Sequence, residues 1–325
     1  MKLPRLDNLT TRQLRVFCTV ARLLSYTRAA EELGCRQPTA SAMVAELERA
    51  TKLTLFEQRG KHLKLTDEGC ELYAHAQNVV SSADEAWWAM EERRGSMTTV
   101  SRPLRIAADT TVGTYVLPHL LGTFHLRYPN LALQLNVANR ASVRAALLSG
   151  EADLVIAGRP PEVEGLLAEP FLANPLVVIA SPEHILVGQS QVTLARLAEE
   201  VFLQREEGSG TRAAVEEAFE IAGMPLRVGM VLGHVEAIKH AVAAGLGVSV
   251  LSALAVKREV QYGTLAILNV ELFPIQRRWY IARLAERPLT ATVDAFIKFL
   301  HEYRQQSETG LIVNTTDRLK SWSDG

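Results

Sequence analysis

The feature that most constrains the fold is a run of three short helical segments near the N-terminus, with a glycine between the second and the third. Thr10 and Gln13 form a capping-box pattern that predicts the start of the first helix. The second helix is predicted over 26–33 and ends at Gly34, because glycine adopts the left-handed conformation without steric cost. The third is predicted over 37–50. This order predicts a helix-turn-helix unit.

The third predicted helix carries short polar side chains at its N-terminal end. Gln37, Thr39 and Ser41 have the size and chemistry to reach base edges in a major groove. Arg28, early in the second helix, is placed to contact backbone phosphate. Residues 53–65 then predict two short strands around a basic tip at 59–61, a wing that grips the flanking groove. A three-helix packing unit with a hairpin and no DNA-binding role is the open alternative.

Charge is unevenly distributed along the 325 residues. Positions 1–66 carry 12 Lys and Arg against six Asp and Glu, whereas the net charge of the whole chain is −1. A basic block on a slightly acidic body predicts that one end meets a polyanion, with a solvated basic face as the alternative. The length and the 48% of hydrophobic residues predict two domains with cores of their own and exclude disorder of the whole chain.

Several other classes of protein are disfavoured by the sequence. No run approaches the ~20 apolar residues of a membrane helix, and the first residues lack the apolar core of a secretory signal. Cys18, Cys35 and Cys70 are spaced too widely for a disulfide framework or a metal knuckle. No metal-ligand spacing, nucleophile elbow or phosphate-loop motif is present. We therefore expect a soluble cytoplasmic protein with no metal site and no catalytic residues.

A long helix is predicted over 67–95, with Asp67 and Glu68 favouring the positive end of its dipole. Apolar residues recur along it at steps of three or four, which predicts a seam for a partner helix and hence a dimer. These residues are Leu72, Ala76, Val79, Ala83, Trp87 and Met90. Packing of this seam against the chain's own body is the alternative. The polar stretch 96–103 is interpreted as a hinge.

From 104 onward, β-rich runs alternate with helical patterns, which predicts an α/β fold with mostly parallel sheets. Strands are predicted at 104–108, 133–137, 153–157, 175–181, 201–205, 227–232 and 248–252, and helices at 116–128, 140–148, 211–222 and 236–244. In such folds, ligands bind beyond the carboxyl ends of the strands, where helix N-termini point.

Two loop-to-helix junctions in this body predict an anion site, because glycines, hydroxyls and free N–H groups gather at a helix N-terminus. One junction contains Thr110 and Thr111, and the other contains Ser209, Gly210, Thr211 and Arg212. Asn139 and Arg159 each end a predicted strand and are expected to face the same crevice. A turn residue and a solvated charge are the alternatives for these two positions.

The N-terminal stretch 14–69 resembles the winged helix-turn-helix of LysR-type transcriptional regulators. The motifs that match are Phe17, Thr27-Arg28-Ala29-Ala30, Gln37-Pro38-Thr39-Ala40-Ser41, Leu47-Glu48, Leu55-Phe56, Leu65-Thr66 and Gly69. The resemblance implies a DNA-binding domain over 1–66. Its candidate DNA-binding residues are Arg28, Arg36, Gln37, Pro38, Thr39, Ser41, Arg59 and Lys61.

This chain departs from the family pattern at four positions. Arg36 stands where a Ser or Thr usually caps the third helix, so we expect a lost cap and an added phosphate contact. Thr51-Lys52 replaces the usual Leu-Gly, and Gln58 replaces the usual Arg, which makes the phosphate contact of the wing the weaker assignment.

The body resembles the LysR-type effector domain, which implies two α/β lobes similar to those of periplasmic binding proteins. The expected architecture is thus α+β and multidomain: winged helix-turn-helix, linker helix over 67–95 and effector domain over 104–304, followed by a tail over 305–325. Lobe I is expected over about 104–178 and 282–304, and lobe II over about 179–281. The crossing strands are expected at 176–181 and 279–283.

Several segments resemble the Calvin-cycle regulators more narrowly, among them REEGSGTR at 205–212 and PIQRRWY at 274–280. This implies a phosphorylated or carboxylated effector, no cofactor, a homodimer or homotetramer on an interrupted palindrome of double-stranded DNA, and contact with RNA polymerase. His234 and Glu236, where the subgroup pattern changes, are added to the candidate effector site. A regulator of sulfur or other metabolism with a different anionic effector is the alternative, and a solute-binding protein is a remote one.

Overall fold

A computed structural model describes residues 9–59, 62–93, 102–160, 162–287 and 289–308 of the chain. These residues divide into two compact units. The first extends to Arg102 and includes Leu148–Ala152, and the second contains the rest. The predicted hinge at 96–103 falls almost entirely outside the described residues, and so does most of the predicted tail.

The first unit contains the predicted helix-turn-helix and wing. Its elements are α1 (Thr11–Leu23), α2 (Tyr26–Glu32), α3 (Gln37–Thr51), β1 (Phe56–Arg59), β2 (His62–Leu65) and α4 (Asp67–Arg93). The capping box is present: the Gln13 amide donates to the Thr10 hydroxyl at 3.2 Å, and the Thr10 amide donates to Gln13 Oε1 at 3.0 Å. Gly34 has φ +63°, as its turn requires.

The core of this unit forms around Phe17, which is fully buried and meets the ring of Phe56 edge-on at 5.5 Å. Leu72 and Ala76 of α4 join this core, so the first part of the predicted seam packs within this unit. Further along α4, Val79, Trp87 and Met90 are 50%, 62% and 52% exposed. The seam therefore changes role along the helix: its first part belongs to the core, and these three residues of its second part are exposed.

The second unit holds two lobes, and lobe I is built on one five-stranded sheet. Its elements are β3 (Leu104–Asp109), α5 (Thr110–Tyr115), α6 (Leu117–Arg127), β4 (Leu133–Ala138), α7 (Arg140–Ser149), β5 (Leu154–Ala157), β6 (Leu166–Ala173), β12 (Arg278–Leu284) and α12 (Ala291–Glu308). The strand order is β4-β3-β5-β12-β6. The helix predicted over 116–128 is observed as α6, and a separate short helix, α5, precedes it at the Thr110 junction. The two are divided at Val116, because Pro118 lacks the N–H that would continue the ladder.

Lobe II is built around β7. Its elements are β7 (Leu176–Ala180), α8 (Leu194–Ala198), β8 (Phe202–Arg205), α9 (Gly210–Ile221), β9 (Val228–Leu232), α10 (Val235–Ala243), β10 (Ser249–Ser252), α11 (Ala253–Gln261) and β11 (Ala266–Leu268). β7 lies between β10 and β11 and is antiparallel to both, whereas β8 and β9 are parallel. A parallel bridge from Phe202 to Val248 links the two groups of strands.

The prediction of mostly parallel sheets is wrong. β12 is antiparallel to both of its neighbours, β5 and β6, as β7 is to its own. The chain crosses from one lobe to the other just before β7 and again just before β12, and each of these strands then runs antiparallel to its neighbours. The alternation of strands and helices along the sequence does not reveal these crossings.

The crossover itself lies beside the predicted one. The Asn174 amide donates to the Arg277 carbonyl at 2.7 Å, and Leu176 and Ile275 exchange two backbone hydrogen bonds at 3.0 Å. Residues 176–178 thus belong to the lobe II sheet and residues 278–281 to that of lobe I. The expected divisions at 178/179 and 281/282 move to about 175 and 277, because the crossing chain turns into a strand as soon as it enters each lobe.

At its C-terminal end, lobe I is completed by α12, which continues to Glu308 and so includes the first four residues of the predicted tail. No helix in the described ranges is both long enough and apolar enough to cross a bilayer.

Candidate functional site

The N-terminal end of α3 is the candidate DNA-reading surface. Ala40, Val44 and Leu47 are buried and pack α3 on its own unit. Gln37 and Thr39 are exposed on the first turn. Because spacings of four and three residues place these buried residues on one face, the first-turn polar side chains project away from the core. Such a helix end can enter a major groove.

The remaining candidate DNA contacts surround this helix end. Pro38 is exposed in the first turn of α3, and Ser41 is half-buried. Arg36 is the exposed N-cap residue and makes no capping hydrogen bond. Arg28 is exposed, and its guanidinium donates to the Leu23 carbonyl. The Arg59 side chain and Lys61 lie outside the described residues.

The wing is fastened to α3 by Glu48, whose Oε1 accepts hydrogen bonds from the Leu55 amide at 2.8 Å and the Phe56 amide at 3.4 Å. On its other side, Gly69 permits close approach of α4, since a Cβ there would lie 2.1 Å from the Leu55 carbonyl oxygen. The wing is therefore held in a defined position beside the reading helix.

The second candidate site is a cleft between the two lobes of the effector body. Seven of the ten residues predicted for the effector site line it: Thr110, Thr111, Asn139, Arg159, Ser209, Gly210 and Thr211. They come from the carboxyl ends of β3, β4 and β5 and from the start of α9. The structure brings these residues together, and their role as ligand contacts stays a prediction.

Two of the helices that point into the cleft are capped by predicted residues. Asn139 Oδ1 accepts a hydrogen bond from the Ser142 amide at 3.0 Å, and the Ser209 hydroxyl accepts one from the Arg212 amide at 3.5 Å. The first-turn amides of α7 and α9 that remain have no acceptor within their own helices. The positive ends of both helix dipoles therefore face the cleft.

Charged side chains that were not predicted complete the lining. Besides Arg159, the cleft is lined by Arg140, Arg205, Arg277, Asp109 and Glu206. Four arginines against two carboxylates leave an excess of two positive charges. Arg205 is nearly fully buried and pairs with Glu206 through two hydrogen bonds of 2.7 Å. Burial opposes ionisation of Glu206, but the hydrogen bonds from Arg205, a backbone hydrogen bond and the charges of Arg205 and His234 together outweigh it and lower the pKa of this carboxyl.

The Arg277 guanidinium lies on the crossover between the lobes. Its Nη1 donates to the Gly210 carbonyl at 2.6 Å, and burial lowers its pKa. Arg159 is exposed and reaches Glu162 at 3.3 Å. Arg277 therefore directs its charge into the cleft, whereas that of Arg159 is shared with solvent and a neighbouring carboxylate.

The other three predicted effector residues do not line this cleft. Arg212 lies at an adjoining pocket and pairs with Glu216 at 2.8 Å. His234 is the exposed N-cap residue of α10. Glu236 is bound by Tyr115 Oη at 2.5 Å and by Lys239 Nζ at 2.7 Å. Glu236 is thus paired with the nearly buried Lys239, one turn along α10, and its role as an effector contact stays a prediction.

Sequence reasoning missed Arg140, Arg205 and Arg277 for different reasons. Arg140 directly follows Asn139, and Arg205 ends the strand before the second junction. The rule that ligands bind beyond the carboxyl ends of strands could therefore have predicted both. Arg277 lies in the segment 274–280, which stands out in the sequence only because it resembles the Calvin-cycle regulators. Its place in the cleft depends on the crossover, for which no local pattern gives a signal.

A winged helix-turn-helix followed by a two-lobed domain with a basic cleft defines a ligand-responsive, DNA-binding regulator. Residues 11–70 match the family described as bacterial regulatory helix-turn-helix protein, lysR family, and residues 98–305 match the LysR substrate binding domain. The chain belongs to the LysR family and is a transcriptional regulator, not an enzyme.

Similar proteins include the RuBisCO operon transcriptional regulator of Allochromatium vinosum, which is 44% identical over 294 residues, 90% of this chain and 96% of that protein. The HTH-type transcriptional activator CmpR of Synechocystis is 38% identical over 91% of this chain and 96% of its own length. The solved regulatory domain of Synechocystis CcmR in complex with 2-PG is 42% identical. The structural match covers 62% of this chain and 97% of that domain, with a TM-score of 0.60.

Proposed function

We propose that this protein controls a carbon-fixation operon and is switched by a small metabolite with two anionic groups. The observation that carries the first part is the 44% identity, over nearly the full length of both proteins, to a regulator of a RuBisCO operon. The 42% identity to a regulatory domain solved with 2-PG supports the second part. The proposed target is chromosomal DNA, which places the protein in the cytoplasm.

Two positions in the cleft favour an anion. One is the N-terminal end of α7 with Arg140, and the other is the N-terminal end of α9 with Arg277. A helix dipole and a guanidinium together form a strong site for a phosphate or carboxylate group. Thr111 on α5 and Thr211 on α9 also line the cleft and add hydroxyl donors. A phosphorylated or carboxylated metabolite with two such groups matches this arrangement, and no cofactor is needed.

We propose that the DNA-bound form is a homodimer that associates further into a homotetramer. The exposed Val79, Trp87 and Met90 on α4 form an apolar stripe for the same helix of a second copy. In the effector body, Val228 and Val231 on β9 are exposed as well, which supports a second contact between copies. Paired reading heads suit an interrupted palindrome at a promoter.

Effector binding would shift the relative populations of two arrangements of the assembly, in proportion to its differential affinity for them. The name of the similar CmpR protein favours activation, with the regulator contacting RNA polymerase at the promoter.

The test is a footprint of the purified full-length protein on the DNA upstream of its own gene and of the divergent neighbour, with and without each candidate metabolite. We expect a long protected region that shortens with one metabolite among 2-phosphoglycolate, ribulose bisphosphate and 2-oxoglutarate. Protection that no metabolite changes would contradict the proposed effector, and a response to a sulfur metabolite alone would contradict the carbon-fixation role. Absence of protection would contradict the proposed target DNA.

Two substitutions separate the reading of bases from the binding of backbone phosphates. Gln37→Ala is expected to relax base preference by ~1–3 kcal/mol at one position. Lys61→Ala is expected to weaken binding to every sequence equally and to reduce its salt dependence. Equal effects of both changes on all sequences would contradict base reading by the first turn of α3.

A further inference from the structure

Asp109 is an acidic residue in a cleft that otherwise favours anions. It ends β3 and is the N-cap residue of α5, but its side chain does not cap that helix. Instead, Oδ2 accepts a hydrogen bond from the Gly158 amide at 2.7 Å, across the ends of β3 and β5. The other oxygen, Oδ1, is buried and has no hydrogen-bond partner within the described part of the chain. One acceptor of this carboxylate is therefore left uncompensated.

The Arg277 guanidinium, close to Asp109, also lacks an oppositely charged partner among the described residues. A Cβ added to Gly158 would lie 3.4 Å from Arg277 Nη2 and 3.6 Å from Asp109 Oδ2, so both charged groups lie close to this glycine without forming an ion pair. Yet Arg277 donates to the neutral carbonyl of Gly210 and, among the described residues, forms no salt bridge. An effector anion that binds Arg277 must therefore approach the Asp109 carboxylate.

The charges that face Asp109 come from three other elements: Arg277 on the crossover, Arg140 on α7 and Arg205 on β8. Arg205 is already engaged by Glu206. Burial raises the pKa of Asp109 even though the Gly158 amide and these cations act in the opposite direction. A bound anion would neutralise part of that cationic field and add a like charge, both of which raise the pKa of Asp109 further.

We propose that Asp109 takes up one proton from solvent when an anionic group of the effector binds beside Arg277. The neutral carboxyl then donates a hydrogen bond to that anion, and the repulsion between two negative groups disappears. This inference rests on the proposed effector cleft and adds that the ligand is bound as an anion together with a proton. Asp109 thereby becomes a residue that selects for acceptor oxygens and makes the response sensitive to pH.

The sign of the pH dependence follows from the two states of Asp109. Its pKa is higher in the complex than in the free protein, so between these two values each pH unit of increase weakens effector binding by up to about tenfold. Below both values the affinity no longer depends on this group.

The test is calorimetric titration of the full-length protein with 2-phosphoglycolate, in buffers of different ionisation enthalpy, which counts the protons taken up. We compare wild type with Asp109→Asn and with Glu220→Gln as the control, since Glu220 is an exposed carboxylate on α9 that does not line the cleft. Protons that the ligand itself gains are common to all three proteins. We expect wild type and Glu220→Gln to take up close to one proton more than Asp109→Asn, and Asp109→Asn to lose the corresponding pH dependence.

Equal proton uptake by wild type and Asp109→Asn would overturn the inference and leave the proposed effector standing. Should Asp109→Asn fail to fold, wild type is titrated with 2-oxoglutarate, whose carboxylates stay ionised above about pH 5. Binding of this probe with no proton uptake would overturn the inference in the same way. Failure of wild type to bind any of the candidate metabolites would contradict the proposed function itself.

Discussion

Replacing Arg36 with serine should make the DNA-binding unit more stable and at the same time weaken its hold on DNA. Arg36 has the extended N-cap conformation (φ −84°, ψ 143°), but its side chain makes no capping hydrogen bond. A serine at this position would accept a hydrogen bond from the Thr39 amide, since Pro38 has no N–H. That amide now donates to the Arg36 carbonyl at 2.9 Å, and an N-cap side chain at such a position contributes ~1 kcal/mol. The side chain is exposed, so its removal leaves no cavity.

The magnitudes can be worked from these features. A gain of ~1 kcal/mol is about a fivefold change in the unfolding constant, and ~4–8 °C in the melting temperature of a domain of 60–100 residues. If Arg36 contacts one phosphate, its loss should lower the slope of log affinity against log salt by about 0.9. Because phosphate contacts carry no sequence information, an arbitrary DNA duplex is sufficient for this measurement.

The assay combines thermal unfolding with fluorescence anisotropy on labelled duplex at several salt concentrations. Arg36→Gln is the matched control, since it removes the charge without supplying a good cap. Both variants should lose the same salt slope, and only Arg36→Ser should gain stability. Equal melting temperatures of the two variants would refute the capping argument, and an unchanged salt slope would refute the phosphate contact.

Three further predictions concern other parts of the chain. Replacing Thr111 and Thr211 together by valine should abolish the metabolite-dependent change in the footprint and preserve DNA binding; loss of both would show that these threonines are structural. Lys52→Gly should raise the free energy of unfolding by ~0.5–1 kcal/mol in denaturant titrations, because Lys52 has φ +60° at the end of α3, and an unchanged midpoint would contradict strain there. Lys239→Met should lower the free energy of unfolding by ~3–5 kcal/mol, because the nearly buried Lys239 ammonium pairs with Glu259 at 2.7 Å. A loss below 1 kcal/mol would show that water solvates the Glu259 carboxylate in place of the ammonium.

The helices of the DNA-binding unit could be predicted from signals that lie only a few residues apart along the chain. Thr10 and Gln13 marked the start of α1, and Gly34 marked the turn before α3, because caps and turns are set by the backbone near them. The two loop-to-helix junctions at Thr110 and Ser209 were found in the same way. These local rules also predicted the exposed first turn of α3 and much of the lining of the cleft.

The family, the order of the elements and the helix ends that face the cleft thus follow from local patterns along the chain. How the lobes exchange strands, and which charges lie close together, depends on the three-dimensional fold. Asp109, Arg205 and Arg277 are far apart along the chain and come together only because the crossover returns residue 277 to the side of Gly210. Coulomb interactions depend on distance and burial in space, and neither is encoded in the spacing of residues along the chain.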